Sequence, residues 1–258
     1  MIIIKTKEEI EILRECGRCL AKVLHAVKKK VTPGVSTKEL DTYANELIAK
    51  MGDTPAFLNY RPHGVKRPFP ASLCVSVNEE VVHGIPKESK ILREGDIVSI
   101  DLGLNHKGLF TDMAMTIPVG KVNSSSVKLI EITEGAMLAG VEAAMPGGRV
   151  GDIGYAVESF VRKNKKNKYG IVEVLAGHGV GRAIHEDPFI PNFGKKGTGD
   201  KLVPGMVIAI EPMLNNGTKD VTLLSDEYTF VTDDKKKSAH FEHTVLITEN
   251  GPEILTQI

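Results

Sequence analysis

Apolar residues recur along the chain with two different periods, which predict helices and strands respectively. Apolar positions recur every three or four residues in three segments and predict helices at residues 7–30, 126–144 and 151–164. A fourth helix, ending at about residue 51, is predicted because Ser36 and Glu39 have the spacing of a capping box. Short apolar runs predict strands at residues 73–77, 81–86, 96–101, 112–119, 171–176, 206–211, 228–232 and 241–248.

These elements are predicted to form one domain of the α+β class over residues 1–258, because no linker interrupts them. The short spacings between strands favour a mostly antiparallel sheet covered by helices. The chain has 33 basic and 33 acidic residues, and this zero net charge argues against a broad nucleic-acid-binding surface. No apolar run approaches the ~20 residues of a membrane span, so we expect no membrane association.

The three cysteines, Cys16, Cys19 and Cys74, are an odd and sparse set. Such a set favours a reducing compartment without a disulfide framework, and we expect a cytoplasmic protein. Cys16 and Cys19 form a CxxC inside a helical pattern. We interpret both as core-facing helix positions rather than as a metal or redox pair. Nothing in the sequence indicates more than a monomer.

A run rich in lysine occupies residues 163–168, at the end of the last predicted helix. We predict a solvated helix end followed by a loop, because charged runs are usually solvated. Transient contact with the ribosome or another RNA is the alternative interpretation.

Two parts of the chain repeat the same order of residue types. A glycine, an apolar strand and an acid occur in residues 95–101 and again in residues 205–211. Each part also has an earlier His-x-x-Pro and a later acid that opens an apolar strand; these residues are His83, His185, Asp112 and Glu242. The repeat predicts a duplicated half-domain. A pseudo-two-fold axis between the halves would bring the acids together at the centre.

The four acids of the repeat are Asp101, Asp112, Glu211 and Glu242, all in apolar strand contexts. Four carboxylates held together would repel each other, and some would have to take up protons. Two divalent cations would balance four carboxylates in formal charge, and a carboxylate can bridge two ions. The pattern therefore predicts a two-metal site.

His178 lies among three glycines in the segment GHGVG, where the backbone can come close to a neighbouring group. We interpret His178 as a metal ligand in a glycine-rich turn. Oxygen ligands with one imidazole suit Mn²⁺, Fe²⁺ or Co²⁺ better than a thiolate-rich zinc site would, with Zn²⁺ as a further option. Two such ions can activate water and polarise a carbonyl, so the predicted reaction class is hydrolysis.

Six stretches of the chain closely resemble the type I methionine aminopeptidases, which have the pita-bread fold. The stretches are SLCVSVNEEVVHGIP, EGDIVSIDLG, LFTDMAMT, GHGVGRAIHEDP, PGMVIAIEP and FEHTVLIT. The resemblance covers essentially the whole chain. It implies removal of the N-terminal methionine from nascent polypeptides whose second residue is small.

The resemblance also implies a role for each candidate residue. Asp112 and Glu242 would bridge two metal ions. Asp101 would hold one ion, while His178 and Glu211 would hold the other. Glu211 would accept the proton of a bridging water. His83 and His185 would bind the scissile amide and stabilise the oxyanion without touching metal.

An apolar pocket for the methionine side chain is implied as well. Its expected residues are Phe57, Tyr60, Phe69, Cys74, Ile184 and Tyr228. Two of them depart from the family's pattern: Ile184 stands where many relatives have Phe, and Tyr228 where many have Trp. Between Tyr60 and Phe69 the loop at residues 61–68 is long and basic, and it is a candidate for the rim of the entrance.

Three other functions compete with this interpretation. A two-metal nuclease would also use a cluster of carboxylates, but the zero net charge and the two flanking histidines argue against it. An X-Pro-cleaving peptidase of the same fold would carry an N-terminal domain, whereas here the helical pattern begins at residue 7. A binding protein of the same fold that has lost catalysis would have lost metal ligands, whereas all five are present. Residues 186–210 are all that separates His185 from Glu211, which favours type I over the type II enzymes with their helical insertion.

Overall fold

The computed structural model describes residues 1–163 and 169–258. The helices in these ranges are α1 (Lys7–Lys28), α2 (Thr37–Met51), α3 (Ser124–Ala143) and α4 (Val150–Arg162). The strands of the first half are β1 (Thr54–Pro55), β2 (Cys74–Val77), β3 (Glu80–Val82), β4 (Ile97–His106) and β5 (Leu109–Pro118). Those of the second half are β6 (Gly170–Ile171), β7 (Gly177–Gly179), β8 (Glu186–Ile190), β9 (Val207–Ile210), β10 (Met213–Asn215), β11 (Val221–Leu223), β12 (Phe230–Thr232), β13 (Ser238–His240), β14 (Glu242–Thr248) and β15 (Gly251–Ile254).

The first two helices begin where side-chain chemistry satisfies their free N–H groups. Thr6 and Glu9 form a capping box at α1, and the predicted box of Ser36 and Glu39 is present at α2. Gly52 ends α2 in the left-handed conformation. Helix α1 packs on β4 and β5, while α3 and α4 pack against each other. The predicted helices are therefore confirmed within the described residues.

The main sheet is antiparallel, as expected, and its strand order is β1-β4-β5-β14-β9-β7-β8, with β2 beside β4 and β15 beside β14. The hairpin β4–β5 and the pair β14–β9 meet where β5 lies against β14. Strands β4 and β9 each follow a glycine with positive φ, Gly95 and Gly205. The repeat predicted from the sequence thus appears as two strand pairs that flank a central seam, β5–β14.

The strands that carry the two aspartates are longer than their apolar runs predict. Strands β4 and β5 form a hairpin that is paired along its whole length from Ile97 to Pro118. Lys107 and Gly108 close it with φ values of 52° and 84°. Two consecutive residues with positive φ are the signature of a tight hairpin turn, which holds the two acid-bearing strands in one register.

Two predicted strands are shorter than expected. The strand predicted at residues 81–86 ends at Val82, because His83 has a φ of 58° and turns the chain away. The strand predicted at residues 171–176 is reduced to β6, which pairs only with the end of β10. Beyond it Val174 is 69% exposed and has no neighbouring strand among the described residues.

The CxxC cysteines belong to the packing of α1, as predicted. Cys16 is fully buried, and its Sγ lies 3.1 Å from the Thr111 hydroxyl on β5. Cys19, which is half-buried, packs against the same core, and both thiols are free.

Replacing both CxxC cysteines by alanine is expected to cost stability but not activity. The change removes buried volume and should lower the free energy of unfolding by about 0.5–3 kcal/mol, the usual range for a core substitution. Urea denaturation measures the loss. The aminopeptidase activity expected from the resemblance should stay within a factor of two. A large loss of turnover in folded protein would contradict the core interpretation.

No helix in the described part of the chain is long and apolar enough to cross a membrane. The basic run at 163–168 lies almost wholly outside the described residues, so the solvated-loop prediction for it stays a prediction.

Candidate active site

Strand register places the four acids of the repeat on one face of the sheet. Ala114 on β5 lies opposite both Asp101 on β4 and Glu242 on β14. Asp112 precedes Ala114 by two residues and shares its face, because side chains alternate along a strand. Ile210 pairs with His243 across antiparallel strands, so Glu211, the next residue, lies beside Glu242. The acids therefore converge across the central seam, as the duplication predicted.

All four carboxyl groups are buried, with at most 8% of each residue exposed. Burial raises the pKa of Asp101 to about 7 and raises the pKa values of Asp112, Glu211 and Glu242 well above their usual range. Neighbouring acids add to the effect on Asp101, Asp112 and Glu242. Such a cluster needs cations if its members are to be ionised together near neutral pH.

His178 does not lie in a turn, as its glycine neighbours suggested, but on the short strand β7 between β8 and β9. A side chain at Gly177 would collide with the backbone of β9, and one at Gly179 with the backbone of β8. The glycines therefore allow close strand packing. His178 Nδ1 donates to the carbonyl of Gly179 over 2.8 Å. In the neutral ring this leaves a lone pair on Nε2, which lies 3.5 Å from Glu211 Oε1.

His240 is a member of the cluster that the sequence analysis missed. It ends β13, it is almost completely buried, and its Nε2 lies 3.2 Å from Glu211 Oε2. Neither of its ring nitrogens has a hydrogen-bond partner among the described residues. The signal was present in the sequence HFEH, because His240 precedes Glu242 by two positions, the spacing of side chains that share a face of a strand.

The residues present fit divalent cations. Ligand atoms of Asp112, His178 and Glu242 lie within 4.8 Å of one another, as do those of Glu211, His240 and Glu242. Glu242 belongs to both groups. Within residues 1–163 and 169–258, Asp101 Oδ1 and Glu242 Oε1 are buried without a hydrogen-bond partner. Orphaned buried carboxylate oxygens beside imidazole nitrogens are a donor set that metal ions would satisfy.

His83 and His185 lie beside the acids, and both line the same cavity. His83 follows β3, and burial lowers its pKa to about 4. His185 lies between β7 and β8, and burial lowers its pKa as well. The Tyr60 hydroxyl is 2.7 Å from His185 Nδ1. When that hydroxyl donates, the proton of the neutral imidazole stays on Nε2, where it can be offered to a ligand.

Apolar side chains form the rest of the cavity. Its wall includes five of the six predicted pocket residues together with Pro62; the five are Phe57, Tyr60, Phe69, Cys74 and Tyr228. Cys74 on β2 pairs with Asp101, so the apolar wall begins directly beside the acids. The rings of Phe69 and Tyr228 meet edge to face at 5.1 Å.

The sixth predicted pocket residue, Ile184, is buried in the same apolar cluster as Phe57. It packs behind the cavity wall: a side chain at Gly103 would come within 2.9 Å of both Ile184 Cδ1 and Phe57 Cε1. The Tyr228 hydroxyl donates to the carbonyl of Arg67 over 2.6 Å. This bond ties the loop at 61–68 to the pocket, and Pro62 of that loop lines it.

Known proteins share both the sequence and this architecture. The family model described as Metallopeptidase family M24 matches residues 11–249. Methionine aminopeptidase 1 of Bacillus subtilis is 46% identical over 100% of both chains. The methionine aminopeptidase of Clostridium perfringens is 47% identical, again over 100% of both.

Solved structures agree with the sequence relatives. The crystal structure of methionine aminopeptidase from Rickettsia prowazekii superposes with a TM-score of 0.94 at 39% identity, over 100% of both chains. The prolidase from Pyrococcus furiosus superposes with a TM-score of 0.77 at 29% identity, and the match covers 66% of that longer chain. The expected pita-bread fold is confirmed. The chain therefore belongs to metallopeptidase family M24 and, within it, to the methionine aminopeptidases.

Proposed function

We propose that this protein is a type I methionine aminopeptidase, which removes the N-terminal methionine from polypeptides whose second residue is small. One observation carries the proposal: four buried acids and His178 meet two neutral histidines at the end of an apolar cavity. The acids and His178 form a metal site, the histidines supply hydrogen bonds, and the cavity accepts an unbranched apolar side chain.

The proposed metal site would hold two divalent ions. Asp112 and Glu242 would be shared by both ions, Asp101 would hold one of them, and His178 and Glu211 would hold the other. The membership of Glu242 in both ligand groups supports its bridging role. When bound, two such ions supply Lewis acidity and a water of lowered pKa.

Side chains of the protein accept the proton of the water and stabilise the charge that develops on the substrate. Glu211 would accept the proton of the attacking water as a general base. His83 and His185 stay neutral near pH 7 and donate N–H groups to the scissile amide and to the developing oxyanion. Tyr60 keeps His185 in the donating tautomer.

The apolar wall selects methionine. Aromatic side chains and the Cys74 sulfur make favourable contacts with a thioether. Because a methylene in an apolar pocket is worth about 1–3 kcal/mol, the pocket separates methionine from shorter aliphatic side chains by a modest margin.

The ligand set and the cysteines also suggest which metal ions the protein uses and in which compartment it acts. The oxygen-rich ligand set favours Mn²⁺, Fe²⁺ or Co²⁺ over Zn²⁺. The free cysteines fit a reducing cytoplasm, where nascent chains are the substrate. We propose that the enzyme acts there as a monomer.

Peptide hydrolysis after metal removal and replacement tests the function. Metal-stripped protein should release methionine from Met-Gly-Met-Met when Mn²⁺, Co²⁺ or Fe²⁺ is added back, and it should leave Leu-initiated and Gly-Pro peptides intact. Cleavage of Gly-Pro alone would instead assign the X-Pro activity of the prolidases. Protein that binds two ions but hydrolyses none of these peptides would have a binding role.

A further inference from the structure

A short turn carries His185, which lines the cavity. The turn, defined here as residues 181–186, joins β7 to β8 and contains Ile184 as well as His185. The Glu186 side chain makes hydrogen bonds to the backbone of this turn. Its Oε1 accepts the N–H of Arg182 at 2.5 Å and that of Ala183 at 3.1 Å. The carboxylate of Glu186 therefore shapes the backbone that directs His185.

The other oxygen of this carboxylate is held by a residue far away in sequence. Lys5, which lies before α1, donates from Nζ to Glu186 Oε2 over 2.5 Å. The pair is among the most buried ion pairs of the described chain, with 1% of the Lys5 side chain and 4% of the Glu186 side chain exposed. The Lys5 side chain crosses Gly181, where any side chain would collide with it.

Lys5 is itself fixed by the backbone just before strand β9. Its N–H donates to the carbonyl of Gly205 over 2.9 Å, and Gly205 precedes strand β9. The same residue thus links the strand that leads to Glu211 with the turn that carries His185.

Stability alone is a weak reason for this pair. Removing a lysine ammonium from water is costly, and burial accordingly lowers the pKa of Lys5. An apolar pair of similar volume is often as stable as a buried ion pair. Unlike an apolar pair, the ion pair fixes the Glu186 carboxylate in one orientation, because charge-assisted hydrogen bonds are directional.

We propose that Lys5 and Glu186 are positioning residues for catalysis, which hold His185 and Ile184 in place through the turn at 181–186. The proposal rests on the role of His185 given above. The ammonium orients the carboxylate, the carboxylate orients the N–H groups of Arg182 and Ala183, and the turn presents the imidazole beside Tyr60 and His178.

The test compares four variants with the wild-type, metal-loaded enzyme. Lys5→Met removes the charge and keeps the length, while Lys5→Arg restores a cation. Glu186→Gln keeps acceptors for the backbone but loses the charge. Arg14→Met is the matched control, since Arg14 pairs with Glu253 at 2.6 Å between α1 and β15, away from the cavity.

The expected result is a loss in kcat with little change in KM or metal content. A misplaced catalytic group costs about 10²-fold, so Lys5→Met should approach that loss. Glu186→Gln should behave alike, Lys5→Arg should recover most of the rate, and Arg14→Met should match wild type. Amide hydrogen exchange should accelerate at residues 181–186 in Lys5→Met and not in Arg14→Met.

Two results would overturn the proposal. In the first, Lys5→Met and Glu186→Gln both have a lower melting temperature but keep the wild-type kcat and the wild-type rate of amide exchange at residues 181–186. The other is a loss of bound metal in proportion to the loss of kcat. If Lys5→Met does not fold, Glu186→Gln decides. If the wild type released no methionine, the proposed function would fail, while the exchange measurement would still decide whether the ion pair orders the turn.

Discussion

Glu211→Gln is expected to abolish most of the turnover and to weaken metal binding at once. The carboxylate lies between the imidazoles of His178 and His240, at 3.5 and 3.2 Å, and it is proposed both to ligate an ion and to accept a proton. An amide can do neither well. Loss of a general base costs about 10²–10⁴-fold in rate, and the weaker affinity adds to that loss at limiting metal.

Two measurements on this variant separate its two defects. Titration calorimetry with Mn²⁺ gives affinity and stoichiometry, and methionine release at saturating Mn²⁺ gives the rate that remains. Glu131→Gln, an exposed acid on α3, serves as the control and should change neither quantity. Near-normal turnover of Glu211→Gln would rule out the proton-accepting role.

His83→Ala is expected to lower kcat by about 10²–10⁴-fold while both ions stay bound. His83 lines the cavity but belongs to neither group of mutually close ligand atoms. Its pKa of about 4 leaves a neutral imidazole at pH 7, which can donate a proton to a hydrogen bond with the substrate. Alanine removes that donor and touches no proposed metal ligand.

Methionine release and metal content are measured on the same preparation of His83→Ala. His63→Ala, in the exposed part of the loop at 61–68, is the matched histidine control and should retain wild-type turnover. Loss of an ion from His83→Ala would show that His83 is a ligand, contrary to its assigned role.

The gathering of the acids followed from the repeat of one pattern in the two halves of the chain. Side chains alternate along a strand, so the register of Asp101, Ala114 and Glu242 across three strands needed only the repeat and antiparallel pairing to be anticipated. The capping box at Ser36 was a local feature. The capping box is predictable because neighbouring residues determine it, and the gathering of the acids is predictable because the two halves repeat the same pattern.

Features that depend on distant partners were not predictable in this way. His178 was placed in a turn because its glycines resemble turn residues, whereas those glycines make room for the backbones of β8 and β9. His83 lies in an apolar run that continues a strand, yet its backbone turns to positive φ. His240 was indicated only by its spacing of two positions from Glu242, and it joins the site because β13 ends beside Glu211.

The family resemblance supplied residues that no pattern indicated. Tyr228 is far from Phe57 and Tyr60 in sequence, and only the folded chain brings the three to one cavity. Lys5 was missed altogether, since a lysine before the first helix is normally solvated, and its burial is visible only beside Glu186.

The seam between β5 and β14 bears on how such an enzyme can arise by gene duplication. A half-length chain that paired with a copy of itself along this seam would present each acid and each histidine twice, because a two-fold interface repeats every contact. A peptide has no such symmetry, so a symmetric ancestor would have to bind it with identical walls on both sides. Fusion into one gene removes that constraint: one half can retain His83 at the end of a strand while the other places His185 on a separately anchored turn. Departure from symmetry, rather than symmetry itself, would then be what selection acted on.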